Sequence, residues 1–151
     1  MRTGIGIDSH RFAPGRRLVL GGVEIPFEQG LAGYSDADVL AHAIADALLG
    51  AAGLGDIGQH FPDTEPEWKD ADSMALLREV VALVRAGGHS LLHVDATVML
   101  ERPKLAPYRD AIHASLSAVL GSVNVKATTG EGMGFVGRGE GAAALAVATL
   151  G

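Results

Sequence analysis

Residues Ser35 to about Gly50, SDADVLAHAIADALLG, carry two adjoining apolar stripes: Val39, Ala43, Ala47 and Leu40, Ile44, Leu48. That spacing predicts an amphipathic helix whose apolar face must be buried against a partner. Ser35-Asp36-Ala37-Asp38 resembles a capping box with Asp in the Glu/Gln place, so Ser35 is expected to open the helix. Strands can supply the partner surface. Residues 3–12, TGIGIDSHRF, alternate as a strand whose even-numbered end turns polar at Asp8 and His10. The stretch 17–27, RLVLGGVEIPF, reads as a hairpin around Gly21-Gly22. Residues 90–100 and 123–128 read as further strands. A second helix spans 73–88 and ends on Gly87, and a third runs from Pro107 to about Leu120 and ends on Gly121. Residues 53–72 are rich in Gly, Pro and Asp and read as a long loop. The tail from Gly137 is ambiguous, since alanine favours helix while Val147 and Thr149 permit a strand.

A length of 151 residues fits one domain, 1–151, with room for a real core. The apolar content of 48% is enough to exclude disorder as the main state. No run of about 18 apolar residues lacks a charge, so no membrane span is expected. The N-terminus shows no apolar signal segment, and the cytoplasm is the expected location. There are no cysteines, so a metal site must draw on His, Asp and Glu. The net charge of -6 argues against a nucleic-acid partner, which needs a basic surface. Nine of the 18 acidic residues lie between Asp36 and Asp72, with Lys69 the lone base there. That reads as a solvated face at Glu65–Asp72 and as metal or hydroxyl recognition by the earlier aspartates.

Asp8 and His10, two apart on a strand, project from the same face, which suits two ligands of one metal. His42 on the first helix is the best third ligand, since Asp/His/His with an open position is a catalytic zinc pattern. By itself the pair also fits a surface carboxylate–imidazole contact, and His42 also fits a buried structural role. Asp38 and Asp46, four residues either side of His42, are candidates to orient its ring. The segment 128–141, TTGEGMGFVGRGEG, contains a literal G-x-G-x-x-G, but the chain ends before the helix, strand and acid a dinucleotide fold requires. What remains is a loop offering Thr hydroxyls, backbone N–H groups, Glu131 and Arg138, suited to phosphate oxygens and a hard cation.

GIGIDSHRF at 4–12, IPF at 25–27, YSDADVLAHAIADALLGAAGLGDIGQHFPDT at 34–64, KDADS at 69–73, ERPKLAPY at 101–108 and VNVKATTGEGMGFVGRGEG at 123–141 occur together in this order. The set closely resembles the 2-C-methyl-D-erythritol 2,4-cyclodiphosphate synthase family, over nearly the whole chain.

The resemblance implies zinc on Asp8, His10 and His42, and Mg²⁺ or Mn²⁺ on Glu131 with the substrate diphosphate. It implies substrate contacts along Asp8, Ser9 and His10, at Tyr34 and Ser35, and at Asp56, Ile57 and Gly58. Phe61, Pro62, Asp63, Thr64 and Glu65 would form a mobile loop over the methylerythritol portion. Leu100, Glu101, Arg102, Pro103, Lys104, Leu105 and Ala106 would form the cytidine pocket. Thr128, Thr129, Gly130 and Glu131, with Phe135 and Arg138, would face the phosphates. Tyr34 and Thr129 take the places credited with transition-state stabilisation. The family commonly has His at 34 and often Thr at 130, where this chain has Tyr34 and Gly130. The implied reaction cyclises 4-diphosphocytidyl-2-C-methyl-D-erythritol 2-phosphate and releases CMP. A metal-dependent nucleotide phosphohydrolase is the competing enzyme class. The implied fold is α+β, a four-stranded mixed sheet with helices on one face in a chorismate-mutase-like arrangement. Three subunits would pack these sheets around a threefold axis, with active sites between neighbours and Ala142, Ala143 and Ala144 close to the axis.

Overall fold

The computed structural model describes residues 1–151. In chain order the elements are β1 (Arg2–Pro14), β2 (Leu18–Leu20), β3 (Val23–Ile25), β4 (Gln29–Leu31), α1 (Val39–Ala52), α2 (Ile57–His60), α3 (Ser73–Ala86), β5 (Leu91–Met99), α4 (Arg109–Leu120), β6 (Val123–Thr128), α5 (Gly134–Gly137) and β7 (Gly141–Leu150). Short 3₁₀ turns cover Pro66–Trp68 and Ala106–Tyr108. The main sheet runs β4-β1-β7-β5-β6, and β2 and β3 form a separate hairpin. All neighbours are antiparallel except the parallel pair β5/β6.

The expected four-stranded sheet therefore has a fifth strand. β1 pairs with β7 only as far as Arg11, and its overhanging end, Phe12–Pro14, takes up Gln29–Leu31 of β4. A three-residue strand containing Gly30 has too little alternation to be seen as periodicity. The tail is a strand, and a central one, paired on both sides. Two flanking ladders outweigh alanine's helix propensity.

The side of β1 facing α1 begins with Gly4 and Gly6. A Cβ at Gly6 would stand 1.9 Å from the Ala43 carbonyl oxygen, and one at Gly4 2.1 Å from that of Ala47. The helix backbone thus rests directly on the strand. Ala142, Ala144, Ala146 and Ala148 of β7 are fully buried on the same side. Ala142 and Ala144 therefore pack against α1, while Ala143, also buried, lies on the opposite face of β7. On the opposite face of β1, Ile5 and Ile7 are 61% and 62% exposed.

Asp38, not Ser35, caps α1. Ala37 has a positive φ of 56°, which breaks the run one residue before the cap. The Asp38 carboxylate accepts from the Ala41 N–H at the helix start and from the Gly21 and Gly22 N–H groups of the β2/β3 turn. One buried side chain thus ends the helix and pins the hairpin. Burial pushes its carboxyl up to about 6 against the pull of these three donors. Asp72 caps α3 by accepting from Met74 N–H at 2.9 Å.

Candidate functional site

After Gly4 and Gly6, the next β1 residues on the α1 side are Asp8 and His10, and α1 brings His42 against them. The Asp8 Oδ2 lies 2.8 Å from His10 Nε2 and 3.1 Å from His42 Nδ1. One ligand atom from each residue lies within 4.8 Å of the others. The outer nitrogen of each ring already has a partner. His10 Nδ1–H donates to the Ala32 carbonyl at 3.0 Å. His42 Nε2 lies 2.7 Å from Ser73 Oγ and 3.2 Å from Ser35 Oγ. Buried His10 Nε2 has no hydrogen-bond partner despite its nearness to the Asp8 carboxylate. With Nδ1 donating, a neutral His10 turns an Nε2 lone pair toward an anionic oxygen. That arrangement calls for a cation between them, and carboxylate and imidazole are zinc donors. A proton answers the same demand. Burial alone would lower the His42 pKa, but the hydrogen bond and charge of Asp8, with Asp38 and Asp36 behind, hold it above its ordinary value. Burial alone would raise Asp8, yet His10 and His42 bring it down to about 2.

The two aspartates flanking His42 do not orient it. Asp38 is spent as the cap, and Asp46 accepts from Ile57 N–H at 2.8 Å, fixing the start of α2. The ring is steadied instead by Ser35 and Ser73. Ser73 donates through its hydroxyl to Asp36 Oδ1 and through its N–H to Asp36 Oδ2. The sequence gives neither Asp36 nor Ser73 a role beside His42, because they sit 37 residues apart and meet only when the loop before α3 folds back.

Asp8, His10 and His42 form one wall of an open cavity of about 390 Å³. Tyr34, Ser35, Ile57, Gly58, Phe61, Pro62 and Asp63 line it, joined by Trp68 and Leu76, which sequence reasoning missed. Phe61 and Trp68 stack edge-on with centroids 5.0 Å apart. Tyr34 donates its hydroxyl to the Glu65 carbonyl at 3.0 Å, tying the cavity rim to the 61–72 segment. Asp56 caps α2 by accepting from Gln59 N–H. Thr64 and Glu65 are exposed and contribute no lining side chain.

The remaining expected residues gather elsewhere. Leu100, Glu101, Pro103, Lys104, Leu105 and Ala106 line a second cavity of about 200 Å³ with Thr128 and Thr129. Leu100 and Leu105 are buried and belong to the core, so little of either is open to a ligand there. Arg102 turns away to pair with Glu28 and to stack over Phe27. Glu101 accepts from Gly130 N–H at 3.0 Å and Gly132 N–H at 3.1 Å, and Thr129 Oγ1 accepts from Glu131 N–H. Gly130 tightens this loop: a Cβ there would meet Gly137 N at 2.6 Å and Met133 O at 2.7 Å. Phe135 borders a recess beside Ser9 and His10, and Arg138 pairs with Glu140. These two cavities share no residue. Across the sheet Ser9 aligns with Ala143, Ala143 with Met99 and Met99 with Thr128. At about 4.8 Å per strand, Ser9 and Thr128 stand about 14 Å apart. Glu131 lies outside the Asp8/His10/His42 cluster.

Fold and site together define an α+β protein that can hold a divalent cation on the wall of a cavity, with a separate Gly-rich loop carrying a carboxylate. The chain belongs to the YgbB family, whose model matches residues 1–151. It is 59% identical to the 2-C-methyl-D-erythritol 2,4-cyclodiphosphate synthase of Salinibacter ruber, over 99% of this chain and 98% of that protein. A solved 2C-methyl-D-erythritol-2,4-cyclodiphosphate synthase in a CDP-bound form superposes with a TM-score of 0.91 at 42% identity, covering 99% and 100% of the two chains. The bifunctional IspDF of Campylobacter jejuni superposes with a TM-score of 0.94 at 46% identity, covering 99% of this chain and 42% of that one. No helix is long and apolar enough to cross a membrane.

Proposed function

We infer that the chain cyclises 4-diphosphocytidyl-2-C-methyl-D-erythritol 2-phosphate to 2-C-methyl-D-erythritol 2,4-cyclodiphosphate with release of CMP. Beside family membership, the observation that carries this reading is the convergence of Asp8, His10 and His42 on one point at the wall of the cavity. The 2-phosphate attacks the β-phosphorus and CMP leaves, so nucleophile and electrophile are both anionic. Their mutual repulsion and the need for in-line geometry are the main obstacles. A divalent ion on Asp8, His10 and His42, zinc by the chemistry of its donors, and Mg²⁺ or Mn²⁺ on Glu131 would neutralise that charge and hold the diphosphate. The protein supplies no nucleophile, and none is required.

The chain's own residues bind and orient. Ile57, Gly58, Phe61, Pro62 and Asp63 enclose the methylerythritol end. The 100–106 segment holds the cytidine, with Lys104 beside it. Thr129 offers a hydroxyl to the phosphates. Tyr34 can do the same once its phenol exchanges the Glu65 carbonyl for a phosphate oxygen. One substrate must reach both cavities, and Ser9, beside the first, lies about 14 Å across the sheet from Thr128 in the second. That separation favours an active site completed by a neighbouring subunit, in a homotrimer whose sheets meet. The exposed Ile5 and Ile7 on the sheet face away from α1 support such burial.

The test is mass spectrometry of products from the cytidyl substrate, with and without chelator. Cyclic diphosphate and CMP, abolished by chelator, are the expected result. Free monophosphates would point to a hydrolase using the same ligands.

A further inference from the structure

We propose that Ser73 is a positioning residue for His42: it holds the imidazole in the tautomer that carries its proton on Nε2 and turns the Nδ1 lone pair toward Asp8. The inference rests on reading Asp8, His10 and His42 as a metal centre, and follows from counting protons.

Asp36, when ionised, can only accept. It accepts three times: from the Asp38 N–H at 3.1 Å, from the Ser73 N–H at 3.1 Å, and from the Ser73 hydroxyl. A serine has one hydroxyl proton, and Ser73 has given its proton to Asp36. Its oxygen has only acceptor capacity left for His42 Nε2, 2.7 Å away. If Nε2 carried a lone pair instead, two lone pairs would face each other at that distance inside the protein. Ser73 is 1% exposed, so no solvent relieves the conflict. Ser35 Oγ is the weaker contact at 3.2 Å and already accepts from the Ala37 N–H. Its own hydroxyl proton can go to Ser73 Oγ, 3.4 Å away, which leaves Ser35 as a second acceptor for the Nε2 proton. The outcome is a chain from Asp36 through Ser73 to His42. It parallels the simpler His10 arrangement, where a backbone carbonyl takes the outer N–H. Both rings thereby present their inner nitrogens unprotonated, as ligation requires.

The experiment measures zinc affinity by competition with a chromophoric chelator for the parent protein, Ser73→Ala and Ser73→Thr. It also records the protonation of the His42 ring nitrogens by ¹⁵N NMR in the zinc-loaded parent. Loss of such an outer partner typically weakens metal binding about 10- to 100-fold, and that is expected for Ser73→Ala. Ser73→Thr keeps the hydroxyl and should recover most of the affinity. The NMR spectrum should show the proton on Nε2. Zinc affinity of Ser73→Ala within twofold of the parent overturns the proposal, even if its melting temperature falls, because a merely structural serine would behave so. An unprotonated Nε2 in the parent overturns it too, and decides the matter if Ser73→Ala does not fold. A parent that binds no zinc overturns the metal-centre reading and this inference with it. Zinc bound equally by parent and variant overturns this inference alone.

Discussion

The seam between β1 and α1 sets the distance between Asp8 and His42, so one methyl group in that seam should disturb the metal site. Gly6→Ala places a Cβ 1.9 Å from the Ala43 carbonyl oxygen and 2.6 Å from Ala47 N. Both are helix backbone and cannot rotate aside. Real Cβ contacts stay beyond 3.0 Å, so α1 must retreat by about an ångström. His42 sits one residue before Ala43 and moves with it. Metal ligation tolerates about 0.2 Å, so zinc affinity should fall at least about tenfold. Overpacking costs about 1–3 kcal/mol, and a backbone collision belongs at the top of that range. For a chain of this size about 3 kcal/mol lowers the melting temperature by roughly 6–12 °C. Gly50→Ala is the control. It lies on the same seam, but its Cβ meets nothing nearer than Ile5 O at 3.8 Å, and it sits inside α1. Removing a helix-interior glycine should stabilise by about 1 kcal/mol and leave zinc untouched. Calorimetry and chelator competition on both variants are the assays. Gly6→Ala with parental melting temperature and zinc affinity would refute the reasoning.

His42→Ala should release about one equivalent of divalent ion, read by elemental analysis, and most of the activity, since it removes one of three protein ligands. Glu131→Gln should leave zinc content unchanged while raising the Mg²⁺ concentration needed for half-maximal turnover; an unaltered Mg²⁺ dependence would count against its role. Tyr34→Phe should cost about 1 kcal/mol, roughly fivefold in kcat/KM, and kinetics identical to the parent would remove the phenol from the reaction. In metal-free protein the raised His42 contributes stability below its ordinary 6.5 and loses it as pH rises through its folded value. Asp8, held at about 2, contributes above 3.8 and loses that as pH falls. Thermal melts of metal-free protein should therefore drop above pH 6.5, with added zinc most stabilising there; a melting temperature that climbs from pH 6 to 9 would contradict the assignment.

The ligand trio was legible because its spacing is local: a two-residue strand period puts Asp8 beside His10, and a strongly periodic helix carries His42. The resemblance then joined the two elements. The helix start was misplaced because Ser35-Asp36-Ala37-Asp38 offers two cap-like residues, and only the left-handed turn at Ala37 decides for Asp38. Asp46 and Asp38 were natural candidates to steady His42 by helical spacing, yet tertiary partners in the hairpin and α2 claimed them first. Ser73 and Trp68 were hidden because their relation to the site comes from a loop without periodicity. Nothing in the sequence shows that close packing against Gly137 and Met133 makes glycine the residue that fits at 130.

Glu101 ties two tasks to one side chain. It stands in the wall of the 100–106 cavity, and its two oxygens hold the N–H groups on either side of Glu131. Whatever occupies that cavity and shifts Glu101 changes the conformational freedom of the loop that presents Glu131. By thermodynamic reciprocity, a cation that orders the loop must change the affinity of the cavity by the same factor. If the 100–106 cavity holds the base and Glu131 a cation, as proposed, base occupancy and cation occupancy are two readings of a single equilibrium, and loss of the one would weaken the hold on the other.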